Sequence, residues 1–199
     1  MEKIAIIIPT YNEINNAEHI IREIFKNVPN IHVRIVDDNS PDGTAAAVEK
    51  LMKDFPNLAL FKRQKKEGLG GAYIDAFGRI IKDGTFSRIC MMDGDFSHDP
   101  SYLVRMIEQA KNFDVVIGSR THVPLVQRRS EMYFLRRVID VLFGKLISIL
   151  YLCSPFTDVG CTFRAIKKDS LRKIINKFTV GGSQFSPEMI IVALKNGLK

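Results

Sequence analysis

The chain has 199 residues, of which 46% are apolar and 26% charged, the balance of one soluble domain with a sizeable core. Its formal net charge of +7 is uneven, −2 over residues 1–119 and +9 over residues 120–199. The longest apolar region, residues 138–153, is interrupted by Asp140 and Lys145 and is short for a bilayer span; Cys90, Cys153 and Cys161 lack the paired spacing of a disulfide framework or zinc site. Buried thiols in a reducing compartment fit that pattern.

Residues 3–8 form a nearly continuous apolar run, the mark of a strand buried on both faces. Met1-Glu2-Lys3 leads straight into it, so no signal peptide is expected. Residues 14–27 carry apolar side chains at helical spacing and predict a helix. Strands are expected at 31–36, 57–61, 88–92 and 115–118, with helices at 44–55, 69–82 and 101–112; Thr44 is a candidate cap for its helix. Four or five βα units in succession imply a parallel, right-handed, doubly wound sheet flanked by helices.

After Arg120 the rhythm changes. Residues 121–127 read as a loop, 131–153 as one long helix or two, and 163–166 as a strand, with helices at 169–177 and 187–196. Within the 131–153 segment the apolar region 138–153 reads as a core helix or an amphipathic one lying at a membrane surface. One domain over residues 1–199 is expected, the boundary near residue 120 separating two regions of one fold.

Open α/β sheets bind ligands beyond the C-terminal ends of their strands. Polar groups gather there repeatedly: Pro9, Tyr11 and Glu13 after the first strand, Asp37 and Asp38 after the second, Asp93 and Asp95 after a later one, Ser119 and Arg120 after the last. Asp93 and Asp95 would point to opposite faces within a strand, but where the backbone turns both can reach one point, and Gly94 leaves room for a close ligand. Hard oxygen ligands there suit Mg²⁺ or Mn²⁺, which usually carry substrate phosphates. The plainer alternative is a polar loop with an Asx turn and a helix cap.

The chain lacks a GxGxxG turn closely following a strand, a GxxxxGK[ST] loop and a G-x-S-x-G elbow, which disfavours hydride transfer, P-loop chemistry and an α/β-hydrolase triad. Without a zinc-finger, RNP-type or helix-turn-helix signature, the basic second half points to phosphorylated ligands or anionic lipid rather than nucleic acid.

The motifs IIIPTYNE, VDDNSPDGT, GLGGAY, MDGDFSHDP, VIGSR and TDVGCTFRAI occur in that order over essentially the whole chain. Together they resemble the family 2 glycosyltransferases of the GT-A fold, especially the polyprenol-phosphate sugar transferases typified by dolichol-phosphate mannosyltransferase. The resemblance implies a GT-A (Rossmann-like) α/β fold and a metal-dependent, inverting transfer of one sugar from a nucleotide-diphosphate sugar, such as GDP-mannose or a UDP-sugar, to a polyprenol or dolichol phosphate. It assigns Pro9, Tyr11, Glu13, Val36 and Asp38 to the base and ribose, and Asp93, Gly94 and Asp95 to ribose, diphosphate and metal. Asp95 would be the direct metal ligand, and Ser97 falls where some relatives carry a second one. Arg120 would contact phosphate, Arg136 and Arg137 would lie near the lipid phosphate, and Asp158 would face the reaction centre. Relatives also continue beyond the position of Lys199, so a C-terminally short domain is expected.

The same residues have structural readings. Asp37 is expected to cap its turn, His98 to brace the loop before Pro100 rather than bind metal, and Arg164 to orient the Asp158 loop or pair with a buried carboxylate. Gly68, Gly70 and Gly71 allow the turn into a helix, and Arg128 and Arg129 read as surface residues. The chain has no tryptophan, so it lacks the Q-x-x-R-W motif of processive synthases. The expected place of action is the cytoplasm, peripheral to the membrane face. The alternatives are a cytosolic transferase acting on a glycan or small-molecule hydroxyl, a nucleotidyltransferase, and a non-catalytic nucleotide-sugar-binding protein.

Overall fold

The computed structural model describes residues 2–120, 131–152, 156–179, 181–182 and 184–199, with backbone alone for 131–137. In chain order the elements are β1 (Ile4–Thr10), α1 (Ile14–Asn27), β2 (His32–Asp37), α2 (Thr44–Leu51), β3 (Leu58–Lys62), α3 (Gly68–Asp83), β4 (Arg88–Met91), α4 (Leu103–Gln109), β5 (Val115–Ile117), α5 (Glu131–Tyr151), β6 (Arg164–Lys167), α6 (Lys168–Ile174) and α7 (Phe185–Lys195). A 3-10 turn at Pro100–Tyr102 leads into α4, and another at Ile175–Lys177 follows α6.

The strands form one sheet in the order β3-β2-β1-β4-β6-β5. β1, β2, β3 and β4 pair in parallel, whereas β6 is antiparallel to both β4 and β5. Alternation along β1 divides the core: Ile6 and Ile8 pack with α1, α2 and α4 on one face, Ala5 and Ile7 with α3, α6 and α7 on the other. Burying both faces accounts for the unbroken apolar run of β1.

β1 leaves β4 before it leaves β2. Its pairing with β4 ends at Ile7 and Met91, while that with β2 continues to Thr10 and Asp37. Ile7 O accepts from Met92 N–H, so by alternation Pro9 turns its amide position to the same side, where proline has no N–H to give. The ladder stops there and a crevice opens between β1 and β4, at the point where strand order reverses.

Two boundaries differ from the sequence reading for local reasons. The helix expected over 44–55 ends at Leu51, and the segment over 101–112 begins as a 3-10 turn capped by Asp99, which accepts from Ser101 N–H at 2.8 Å. The expected loop at 121–127, Arg128 and Arg129 lie outside the described residues, as does Cys153.

Candidate active site

The first two strand-end motifs interlock. Asn12 N–H donates to Ser40 Oγ, Glu13 N–H to Thr44 Oγ1 and Ile14 N–H to Asp42 Oδ2, each at 3.0 Å. The amides at the start of α1, which lack intrahelical acceptors, are thus met by side chains of the β2–α2 loop. Thr44 therefore serves α1; its own amide is met by Asp42 Oδ1 at 3.0 Å. Asn12 and Asn39 adopt the left-handed conformation, which Asn tolerates better than most side chains, and so turn the chain at the ends of β1 and β2.

Asp37 is structural, as expected: buried, it accepts from Thr10 Oγ1 at 3.0 Å and from Ser40 N–H at 2.9 Å and Oγ at 2.6 Å. Asp38 points to the α3 side, where Arg63 Nη1 meets its Oδ1 at 2.5 Å. Arg63 also reaches Glu67 at 2.5 Å, and its side chain is 7% exposed. This arginine ties the ends of β2 and β3 to the start of α3. It was not singled out in the sequence because it sits in the charged run Lys62-Arg63-Gln64-Lys65-Lys66, which reads as a solvated surface. Val36 is fully buried in the α3-side core, so what it can offer a base is backbone. Tyr11 is exposed at the rim with the Lys66 ammonium 3.7 Å from its ring centroid, and Glu13 is half-buried, accepting from Asn16 Nδ2.

Beyond β4, Asp95 is exposed and accepts Ser97 N–H at 2.9 Å, an Asx turn. Phe96 between them has φ +59°, and its ring meets His19 of α1 edge-on. Asp93 is half-buried: Ser97 Oγ lies 3.5 Å from its Oδ2, while its Oδ1 is buried without a hydrogen-bond partner. The space left by the missing side chain of Gly94 is bounded by Ile8, Pro9 and Thr10 of β1, so any part Gly94 takes in binding falls to its backbone.

His98 braces the loop. Its Nδ1 accepts Asp93 N–H at 3.3 Å and its ring stacks on Phe163, leaving the proton of the neutral ring on Nε2, 3.6 Å from Cys161 Sγ. Burial lowers its pKa, and Asp93 opposes that shift. Burial also pushes the Cys161 thiol up to about 11, so it is not a thiolate near neutrality.

On the far side of the crevice Arg120 and Asp158 form a forked pair. Arg120 Nε meets Oδ2 at 2.8 Å, Nη2 meets Oδ1 at 2.9 Å, and the Arg120 amide donates to Oδ2 at 3.0 Å. Burial alone would raise Asp158, but Arg120 outweighs it and holds the carboxyl below its ordinary value. Arg164 is fully buried and donates to the carbonyls of Cys161, Ser186 and Val159 at 2.8, 2.6 and 3.0 Å. It holds the turn that carries Asp158. Burial lowers it to about 10, which leaves it charged near neutrality.

α5 flanks this side. A Cβ at Gly160 would come within 3.3 Å of Asp140 Oδ2, and one at Gly144 would overlap the Phe156 carbonyl. Asp140, Gly144, Ile147 and Ser148 thus face the 156–160 segment or the core, whereas Ile139, Leu142, Leu146, Ile149 and Leu150 face outward. Arg136 and Arg137 lie in the early turns of α5, and their side chains are outside the described residues.

Among the described residues no group of three or more His, Cys, Asp or Glu side chains is placed to hold a metal ion. The donor set still fits Mg²⁺ or Mn²⁺, because these ions are commonly held by one or two carboxylates together with water and substrate phosphates. Exposed Asp95 and half-buried Asp93 supply carboxylates of that kind.

A sheet of this order, with carboxylates at its switch point, is the architecture of the GT-A glycosyltransferases. Two solved structures share it. One is glucosyl-3-phosphoglycerate synthase from Mycobacterium tuberculosis in complex with Mn²⁺, UDP and glucosyl-3-phosphoglycerate, with TM-score 0.71, 14% identity, and 98% of this chain and 66% of that one covered. The other is a mannosyltransferase from Pyrobaculum calidifontis in complex with GDP-Man and Mn²⁺, with TM-score 0.57, 19% identity and coverages of 86% and 46%. The chain thus spans less than two thirds of the length of either. The profile described as glycosyl transferase family 2 matches residues 5–175, and the chain belongs to that family. Among curated proteins it is 35% identical to the undecaprenyl-phosphate mannosyltransferase of Micrococcus luteus over 172 residues, 86% of this chain and 69% of the relative. It is 32% identical to the polyprenol monophosphomannose synthase of Mycolicibacterium smegmatis, covering 98% of this chain and 74% of the relative.

Proposed function

We propose that the chain is a hexosyltransferase that moves a single sugar, mannose first among the candidates, from a nucleoside-diphosphate sugar to a polyprenyl phosphate at a membrane surface. The two curated relatives named for polyprenol-phosphate mannose transfer support the substrate class. The observation that carries the reading to this chain is α5. Its inner side packs on the segment bearing Asp158, while its outer side presents Ile149 and Leu150 at 72% and 68% exposure. Ile139, Leu142, Leu146, Ile149 and Leu150 recur at helical spacing, and Lys145 is exposed among them. An exposed apolar stripe of this kind with a lysine among it suits a helix that lies in a lipid interface. No helix among the described residues is long and apolar enough to cross a membrane.

In this reading the base and ribose lie against Tyr11, Glu13 and Asp38, with backbone contacts from Pro9 and Val36, and the diphosphate lies over Asp93, Gly94 and Asp95. Asp95, with Ser97 at its edge, would hold a divalent ion, Mn²⁺ or Mg²⁺. When bound, that ion neutralises charge on the diphosphate. The acceptor oxygen attacks the anomeric carbon from the face opposite the diphosphate, which inverts the configuration. Asp158 fixes the Arg120 guanidinium, and in this reading its positive charge would meet the phosphates with little reorganisation. Arg136 and Arg137 stand on the acceptor side.

A carboxylate held below its ordinary pKa is a weak base. That suits an anionic phosphate acceptor, which needs no deprotonation, better than a sugar hydroxyl. Sedimentation with vesicles tests the reading. The protein should pellet with anionic vesicles at low salt, and Leu142→Glu combined with Ile149→Glu should abolish this while nucleotide binding persists. A chain that stays in the supernatant would favour a soluble glycan or small-molecule acceptor.

A further inference from the structure

The pairing of β4 with β6 runs from Arg88 and Lys167 to Met91 and Arg164. Beyond that last pair one chain goes on to Asp93 and Asp95, and the other leads back through Phe163 and Cys161 to Asp158. The ladder therefore ends just before the residues that matter, and a side chain takes over from it. His98 is 4% exposed. Its Nδ1 accepts from Asp93 N–H at 3.3 Å, its Nε2 lies 3.6 Å from Cys161 Sγ, and its ring stacks on Phe163 at a centroid distance of 5.4 Å. Both contacts on the far side lead to the Arg120–Asp158 fork. Cys161 N–H donates to the Asp158 carbonyl at 3.4 Å, and Gly118 N–H, two residues before Arg120, donates to the Phe163 carbonyl at 2.8 Å. The Cys161 carbonyl is itself fixed by Arg164 Nε at 2.8 Å.

We infer that His98 is a positioning residue that sets the spacing between the carboxylates at the end of β4 and the Arg120–Asp158 fork. A space-filling apolar side chain would not carry the cost of burying ring nitrogens. What imidazole adds is a rigid plane with an acceptor on one edge and a donor on the other. With the Asp93 amide on Nδ1, the ring proton sits on Nε2 and is given to Cys161 Sγ, so one inflexible group holds both walls of the crevice. The role is geometric and needs no change of protonation. It bears on the transfer step more than on donor binding, because only transfer needs both walls at once. The inference rests on reading the crevice as a nucleoside-diphosphate-sugar site.

Two variants cut the link on one side only. His98→Asn keeps an acceptor near the Nδ1 position but no longer reaches Cys161, and Cys161→Ala removes the sulfur and leaves the ring. Calorimetric titration of GDP and UDP with Mn²⁺, together with kcat for sugar transfer to a short polyprenyl phosphate, reads the result. Either variant should bind the preferred nucleotide within about twofold of the unaltered protein yet lose about tenfold or more in kcat, since a displacement of about 1 Å at a reacting centre costs about a hundredfold. The double variant should be no slower than His98→Asn, because both changes break one link. Nitrogen NMR of the labelled imidazole near neutral pH should show the Nε2–H tautomer. An Nδ1–H tautomer, or an unchanged kcat in Cys161→Ala, would overturn the assignment. So would nucleotide binding that weakens in step with kcat, since that marks a brace for the Asp93 loop alone. If the unaltered protein binds neither nucleotide or transfers no sugar, the crevice reading falls and this inference with it; a missing effect in variants of an active protein overturns the inference alone.

Discussion

Asp158→Asn separates an orienting carboxylate from a catalytic base. Asp158 accepts three bonds from Arg120, at 2.8, 2.9 and 3.0 Å. Asparagine keeps one carbonyl oxygen and turns an amide N–H₂ toward the other guanidinium nitrogen, so one charge-assisted bond becomes donor against donor. Losing such a bond costs about 2 kcal/mol. Removing one partner of a fully buried pair costs about 3–5 kcal/mol. With side-chain exposures of 23% for Arg120 and 7% for Asp158, the pair falls short of that limit and the lower figure applies. In a chain of this size about 2 kcal/mol corresponds to a melting temperature lower by roughly 4–8 °C. Thermal unfolding followed by circular dichroism at pH 7, in a cycle with Arg120→Gln, should show strong non-additivity, the second change adding little to the first. In turnover, Asp158→Asn should lower kcat while the shape of the pH–rate profile stays the same, because an orienting carboxylate contributes no acid limb. A shift below 1 °C with additive effects would mean that the fork does not form in solution. Loss of the acid limb would make Asp158 a general base.

Two further expectations concern the scaffold. Gly70→Ala places a methyl group within 2.8–2.9 Å of Phe185 Cβ and the Gly181 backbone, so unfolding should become easier by about 1–3 kcal/mol, read from denaturant melts; an unchanged midpoint would refute the close packing of α3. Asp114, held mainly by the Lys199 amide, and Asp158, which burial raises and Arg120 more than brings back, both sit below the ordinary carboxyl value of 3.8. Their folded values lie under their unfolded ones, so the stability they contribute is complete above 3.8 and is lost as pH falls through the lower folded values. Melting temperatures at constant ionic strength should carry no loss from these groups between about pH 7 and 5 and should fall below about pH 4; a flat curve to pH 3 would contradict this.

The βα rhythm was legible because strands buried on both faces show as unbroken apolar runs and helices show as stripes, and α1 has the bounds its pattern predicts. The insertion of β6 between β4 and β5 was not: Ala165 pairs with both Cys90 and Val116, and such non-local pairing leaves no mark on four residues of apolar sequence. At the site, the strand-end carboxylates could be read from position alone. Thr44 was assigned to its own helix because a cap is normally local, whereas here two loops cap across the rim. Arg63 was hidden in a charge run, since the contact that defines it is made to Asp38 at the end of another strand.

The most direct test of the proposed function is transfer itself. The purified protein, Mn²⁺, a labelled panel of GDP-mannose and UDP-sugars and a short polyprenyl phosphate in anionic vesicles should yield a lipid-linked sugar of inverted anomeric configuration from one donor. Product should vanish with chelator and with Asp95→Asn, while the variant's circular dichroism stays native. Transfer that persists in excess chelator, or a label that moves to water or a glycan hydroxyl but never to the lipid phosphate, would contradict it.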